Sequence, residues 1–134
     1  MSDGRASWRT IFDQTNDMRD FKKLEIWQLG MEIVDQAYDL FDEIPWQKAG
    51  RLRDQLTAAA VSVPSNIAEG NSRRSEKDKY RFHEIALGSA FELQTQVLIV
   101  QRRNWVGGDR VVKLLTDIER EQKMIAAFMG ALKA

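Results

Sequence analysis

Residues 24–44 have the sequence LEIWQLGMEIVDQAYDLFDEI, in which apolar side chains recur at every third or fourth position. This spacing places them along the surface of an α-helix in two stripes. The first stripe consists of Leu24, Trp27, Met31, Val34, Tyr38 and Phe41. The second consists of Ile26, Gly30, Ile33, Ala37, Leu40 and Ile44. At about 100° per residue the stripes lie roughly 110° apart, so apolar surface covers at least half of the helix.

A bundle helix needs only one apolar face, so the second stripe leaves two interpretations open. The helix is either buried on most sides, or it packs its own bundle with one stripe and a second subunit with the other. We favour the second interpretation, because an exposed apolar stripe promotes aggregation. We assign to the subunit interface Ile26, Ile33, Ala37, Leu40 and Ile44.

Three further helices are predicted after the first by the same periodicity. The predicted ranges are about 21–44, 46–68, 75–105 and 109–132. Short turns between long helices are typical of an antiparallel up-down-up-down four-helix bundle, which we predict over 21–134. Residues 1–20 are predicted to form a loose N-terminal extension.

Local signals refine the second and third helices. Pro64 lies inside the second and predicts a kink over 60–64. Gly70 is interpreted as its C-terminal cap. Ser75, followed three residues later by Asp78, predicts the start of the third helix.

Composition limits the classes of protein. The chain has 134 residues with 20 basic and 20 acidic side chains, and a net charge of zero argues against coating nucleic acid by charge alone. It has no cysteine, which excludes disulfides and thiolate metal sites and fits the cytoplasm. The apolar runs are too short to span a membrane. Basic residues are in excess over 51–82, with 7 basic and 4 acidic side chains.

The segment 62–70, SVPSNIAEG, continues with NSRRS at 71–75, and IALGSAFE follows at 85–92. These motifs resemble the four-helix bundle proteins of the 23S ribosomal RNA intervening-sequence family. The resemblance implies a bundle that assembles into a five-fold ring and is not an enzyme. A more distant similarity is to the accessory variability proteins of diversity-generating retroelements, which partner a reverse transcriptase and nucleic acid. The motif residues, interpreted as mainly structural, are Pro64, Ser65, Asn66, Glu69, Gly70, Gly88, Ser89 and Glu92.

Two of these motif residues have more specific interpretations. Asn66 and Glu69 are expected to satisfy backbone groups freed by Pro64 and by the helix end. Glu92 is expected to be partly buried and paired with an arginine of a neighbouring helix. His83, the single histidine, is expected at the surface. No catalytic residue, cofactor or metal site is predicted.

Basic side chains are the candidates for nucleic-acid contacts, since they neutralise phosphates. No aromatic residue is interleaved among them in a base-stacking pattern. The candidates are Arg51, Arg53, Arg73, Arg74, Lys77, Lys79, Arg81, Arg102, Arg103 and Arg110.

Two functional hypotheses follow. The first is a non-catalytic homo-oligomeric scaffold, a pentamer by resemblance, that binds RNA, DNA or a ribonucleoprotein through repeated basic surfaces. The alternative is a protein-binding adaptor, such as an accessory subunit of a reverse transcriptase. In that case the acidic face of the first helix or the N-terminal extension recruits the partner.

Overall fold

The computed structural model describes residues 20–132, and every regular element in this part of the chain is helical. The predicted all-α class is therefore confirmed. The elements are a 3₁₀ turn (Phe21–Lys23), α1 (Glu25–Glu43), α2 (Trp46–Asn71), α3 (Glu76–Arg102) and α4 (Asp109–Gly130). The first 19 residues of the predicted extension lie outside the described residues.

The four helices form a closed cycle of contacts. α1 packs against α2 and α4, and α3 packs against the same two helices. α1 and α3 therefore occupy diagonal positions, as do α2 and α4. The core between them is apolar and drawn from all four helices: Ile33, Leu56, Leu93 and Ile118 are each at most 1% exposed. Removal of these side chains from water is the main stabilising term.

The two apolar stripes of α1 have different surroundings. The stripe that we assigned to the subunit interface lies in the core of its own bundle, at most 4% exposed, so that assignment is wrong. Its members are Ile26, Ile33, Ala37, Leu40 and Ile44. The other stripe, which we call the outward stripe, has Met31 40% and Tyr38 48% exposed, and its other four members are partly buried. Met31 and Tyr38 therefore lie on the side of α1 that a neighbouring subunit could reach.

Gly30 explains why the stripe to which it belongs, with Ile33 and Leu40, faces the core. A Cβ atom on Gly30 would lie 2.9 Å from the Oε2 atom of Glu121 on α4 and 3.3 Å from the Cβ atom of Pro64 on α2. The missing side chain therefore leaves the space into which two neighbouring helices pack. The outward stripe contains no residue as small, so the bundle could not close around that stripe equally well.

α2 is interrupted near its start rather than at its proline. Ala49 has non-helical dihedral angles, φ −147° and ψ 32°, whereas no break in the helical dihedral angles occurs at Pro64. The interruption at Ala49 has no counterpart among the predicted features, and the kink over 60–64 stays a prediction, because helical dihedral angles do not measure a bend of the helix axis. The N–H groups of Lys48 and Ala49 both donate to the carbonyl of Pro45, which closes this first turn before the helix continues.

The inward orientation of α1 predicts the effect of truncating Leu40, which is 0% exposed. Leu40→Ala should lower the free energy of unfolding by about 2–5 kcal/mol, because it removes buried methyl groups and leaves a cavity. Asp39→Ala, at the exposed neighbouring position, should change it by less than about 1 kcal/mol. Urea denaturation measures both, and equal effects would contradict the placement of this stripe in the core.

Candidate nucleic-acid interface

Five basic residues surround the connection between α2 and α3. They are Arg73, Arg74, Lys77, Lys79 and Arg81. All are exposed except Lys79, which is partly buried. Ser75 begins α3 as its capping motif predicted, because its hydroxyl accepts a hydrogen bond of 3.0 Å from the backbone N–H of Asp78. The cap fixes where the connection ends and therefore where the basic residues of α3 begin.

Phe82 orients two of these arginines. The guanidinium carbons of Arg73 and Arg81 each lie 4.6 Å from the centre of its ring, within the range of a cation–π contact. A nitrogen of Arg73 also lies 3.4 Å from a carboxylate oxygen of Glu69. The sequence analysis predicts no aromatic residue in a base-stacking pattern among the basic side chains; Phe82 lies among them, with its ring contacted by the two guanidinium groups. Arg81 and Phe82 adjoin in the sequence, but the turn that brings Arg73 to the same ring could not be read from spacing.

The other five candidate residues lie at the other end of the bundle, near the C-terminus of α1. They are Arg51, Arg53, Arg102, Arg103 and Arg110. Arg110 forms an ion pair with Glu43 in the last turn of α1. The Nε atom of Arg53 donates to the carbonyl of Phe41 at 3.1 Å, and its guanidinium lies 4.1 Å from the centre of that ring. The ten candidates therefore do not form one surface, and Arg53 and Arg110 bind groups of their own subunit.

Asn66 and Ser89 connect α2 to α3. The Asn66 side-chain amide donates to the carbonyl of Ser62 at 2.8 Å and to its hydroxyl at 2.9 Å. That hydroxyl lies 2.7 Å from the hydroxyl of Ser89 on α3. These hydrogen bonds join the two helices, and the carbonyl that Asn66 binds belongs to Ser62. The carbonyl that Pro64 leaves without its helical partner is that of Ala60, four residues before the proline.

Gly88 and Glu92, in the second motif segment, face outward. Glu92 is exposed, and one of its carboxylate oxygens accepts a 3.3 Å hydrogen bond from the amide of Gln96 on the same helix. The expectation that Glu92 is partly buried and paired with an arginine is therefore wrong. Gly88 is also exposed, and a Cβ atom there would meet no atom within 4 Å.

Gly70 has a packing role and is not a cap, because α2 continues to Asn71. A Cβ atom on Gly70 would lie 2.8 Å from the Cβ atom of Phe82 and 2.9 Å from the His83 ring. The glycine of the motif therefore lets the first turns of α3, with their basic residues, lie directly against α2. Any larger residue at position 70 would displace Phe82, the ring that orients Arg73 and Arg81.

His83 is buried at 0% exposure, so the prediction of a surface histidine is wrong. Its Nδ1–H donates to the carbonyl of Lys79 at 2.7 Å, and its ring stacks on Phe128 with centroids 4.5 Å apart. Nδ1 therefore carries the proton of the neutral ring, and Nε2 is buried without a hydrogen-bond partner among the described residues. Burial lowers the pKa of His83, so the ring stays neutral at pH 7.

Glu121 is a second buried ionisable residue, and the sequence pattern did not reveal it. Its side chain is 0% exposed, and neither carboxyl oxygen has a hydrogen-bond partner in the described part of the chain. Burial raises the pKa of Glu121 to about 8, although the positive charge of Arg120 opposes the rise. The carboxyl is therefore mainly protonated at pH 7, in the space left by Gly30.

Asp117, one turn earlier on α4, behaves in the opposite way. Burial acts to raise its pKa, but hydrogen bonds from Lys113 at 2.7 Å and Gln36 at 2.8 Å hold the pKa of Asp117 below its ordinary value. Within residues 20–132, no group of three or more His, Cys, Asp or Glu side chains is placed to hold a metal ion. The same range contains no helix with the length and apolarity needed to cross a membrane.

The buried carboxyl of Glu121 predicts a dependence of stability on pH. An unfolded glutamate releases its proton near pH 4.5, whereas folded Glu121 keeps it to about pH 8. Stability from this group is therefore fully present below about pH 4.5 and is lost as the pH rises towards 8, at up to ~1.4 kcal/mol per pH unit. Glu121→Gln should remove this slope in urea denaturation between pH 5 and 9. The exposed control Glu119→Gln should keep it, and parallel curves for both variants would refute the assignment.

The fold is similar to that of a solved structure, a protein of unknown function from the S23 ribosomal protein family of Bacteroides thetaiotaomicron. The TM-score is 0.72 at 18% sequence identity, and the similarity covers 78% of this chain and 97% of the other. At this identity the comparison concerns the fold alone. Comparison with curated proteins gives no match.

A family model described as 23S rRNA-intervening sequence protein matches residues 22–127. The matched range runs from the 3₁₀ turn to the last third of α4, and it includes both motif segments and the basic turn between α2 and α3. Because the match extends over most of the sequence, this chain belongs to the 23S rRNA-intervening sequence protein family.

Proposed function

We propose that this protein is a non-catalytic, cytoplasmic, homo-oligomeric helical scaffold that binds nucleic acid through the basic turn between α2 and α3. The observation that carries the proposal is the group of exposed basic side chains at this turn, in which Phe82 holds Arg73 and Arg81 at equal distances of 4.6 Å. Preorganised guanidinium groups suit phosphate binding because they lose less side-chain freedom on contact.

The bundle is the support for this surface. We take its topology to be antiparallel, up-down-up-down: Ser62 and Gly70 on α2 meet Ser89 and His83 on α3 in reverse order. The outward stripe of α1 supports assembly, and the family resemblance points to a five-fold ring. A ring repeats the basic turn in every subunit, which raises the local potential and adds avidity for a polyanion.

The environment of the buried ionisable groups supports a non-catalytic role. Glu121 and His83 are both 0% exposed and neutral at pH 7, so they cannot reach a substrate from solution. Some charged groups at the surface pair with one another, as Lys113 does with Asp117 and Arg110 with Glu43. A general acid or base needs access to the reacting atom.

A protein-binding adaptor is the second candidate. α1 carries six acidic residues and no basic one: Glu25, Glu32, Asp35, Asp39, Asp42 and Glu43. A surface of one sign favours a basic partner, such as a reverse transcriptase. Affinity capture with the whole chain distinguishes the two candidates, because an adaptor retains a protein partner after nuclease treatment and a nucleic-acid scaffold does not.

Nucleic-acid binding should depend on the basic turn. Arg74→Glu with Lys77→Glu should weaken binding to structured RNA and duplex DNA at least about tenfold and reduce the salt slope by about two, because two phosphate contacts are lost. Lys48→Glu with Lys123→Glu changes the net charge equally at other exposed positions and should have a smaller effect. Fluorescence anisotropy over a salt series measures both. No binding of the unaltered protein even at low salt would exclude this function.

The unaltered protein should assemble. Light scattering is expected to give about five subunits, the closed ring that the family resemblance implies. Met31→Glu places a charge on the outward stripe of α1 and should give a folded monomer, since Met31 is 40% exposed and outside the core. Glu32→Lys, at an exposed position of α1, should leave the assembly intact, because residue 32 directly follows Met31 and therefore faces a different side of the helix. A monomer at micromolar concentration in the unaltered protein would contradict the proposed assembly.

A further inference from the structure

The part of α3 that follows its first turns has few charges for a helix with an exposed side. Residues 85–101 contain a single charged residue, Glu92. Apolar side chains are exposed instead, including Phe91 at 51% and Leu98 at 44%. Solvated protein surfaces are usually rich in charge, and depletion of charge marks the centre of an interface. This surface of α3 therefore has the composition of a covered one.

Phe91 and Leu98 lie towards α4. They are three residues before and four residues after Gln94, whose side chain accepts a 2.9 Å hydrogen bond from Gln122 on α4. Residues at these spacings are neighbours on a helix surface. Val112 is 55% exposed on α4 and extends the apolar surface. We call Phe91, Leu98 and Val112 the apolar patch; it lies on the α3–α4 side of the bundle.

A groove runs along the opposite side, between α1 and α2. It is lined by Trp27, Met31, Val34, Val61, Pro64, Ser65 and Ala68. Because α1 and α2 pack together on one side of the contact cycle and α3 and α4 on the other, the groove and the apolar patch face in opposite directions. The two surfaces differ in shape, since one is concave and the other consists of protruding side chains.

Charges beside the two surfaces are complementary. The exposed residue Asp35 lies on α1 beside the groove, four residues after Met31, which lines it. Beyond Leu98, the charge-poor segment of α3 ends at the exposed residues Arg102 and Arg103. Acidic and basic borders of this kind favour a contact between unlike surfaces and disfavour the pairing of either surface with itself.

We propose that the apolar patch of one copy docks in the groove between α1 and α2 of a second copy. The inference rests on the homo-oligomer proposed above and specifies its second surface. Contacts between two different surfaces repeat head to tail, and they close as a ring when the rotation between neighbouring subunits closes. The basic turn between α2 and α3 is used by neither surface, so it stays available in each subunit.

Glutamate substitutions test the apolar patch. Phe91→Glu should abolish the oligomer in light scattering while the circular dichroism spectrum stays that of the unaltered protein, since Phe91 is half exposed. Ile85→Glu is the matched control: Ile85 is 41% exposed on the same helix, but it lies four residues before Ser89, which faces α2. Its assembly should persist. An unaltered oligomer in Phe91→Glu would overturn the inference.

Cysteine pairs test which surfaces meet, because the chain has no cysteine of its own. Val61→Cys places a thiol in the groove and Phe91→Cys places one on the patch. When the two variants are mixed and oxidised, the mixed disulfide should predominate, and a chain carrying both substitutions should form a ladder of linked subunits. Predominantly symmetric disulfides would overturn the inference while leaving the oligomer in place. A monomeric unaltered protein would instead remove the proposed assembly itself.

Discussion

At Gly30, the backbone of α1 meets Pro64 of α2 and the carboxyl of Glu121 on α4, with contacts of about 3 Å to the position of the missing Cβ. This junction fixes the rotation of α1 about its axis, because only a glycine admits both neighbours. Once that rotation is fixed, Ile33 and Leu40 enter the core and Met31 and Tyr38 face outward. The surface offered to another molecule is therefore a consequence of how the core closes.

Periodicity was sufficient to predict the all-α class and the two stripes of α1, because apolar spacing reports directly on helical faces. It could not decide which stripe is buried. Both stripes are apolar, and the decision depends on a close approach at Gly30 that involves residues 34 and 91 positions away. The same limit applies to His83 and Glu121. Polar residues are usually exposed, so burial of either is visible only when the neighbouring helices are in place.

The family motif is best understood as the means of joining α2 to α3. The Ser62 hydroxyl links Asn66 to Ser89 by hydrogen bonds, and Gly70 lets Phe82 and His83 lie against α2. Pro64, in the same motif, packs at Gly30 and lines the groove between α1 and α2. One short segment thus orients the arginines at the α2–α3 turn and shapes a side of the bundle.

The distribution of charge separates two kinds of surface. Exposed basic side chains gather at the turn between α2 and α3, where Phe82 and Glu69 restrict Arg73. The sides of the bundle have outward apolar residues instead, such as Val61 in the groove and Phe91 on α3. Apolar sides suit contacts between like subunits, because burying them removes apolar surface from water, whereas a basic end suits a polyanion that stays hydrated. In the proposed ring, contacts through the sides leave the ends free and bring the basic turns of several subunits onto one rim.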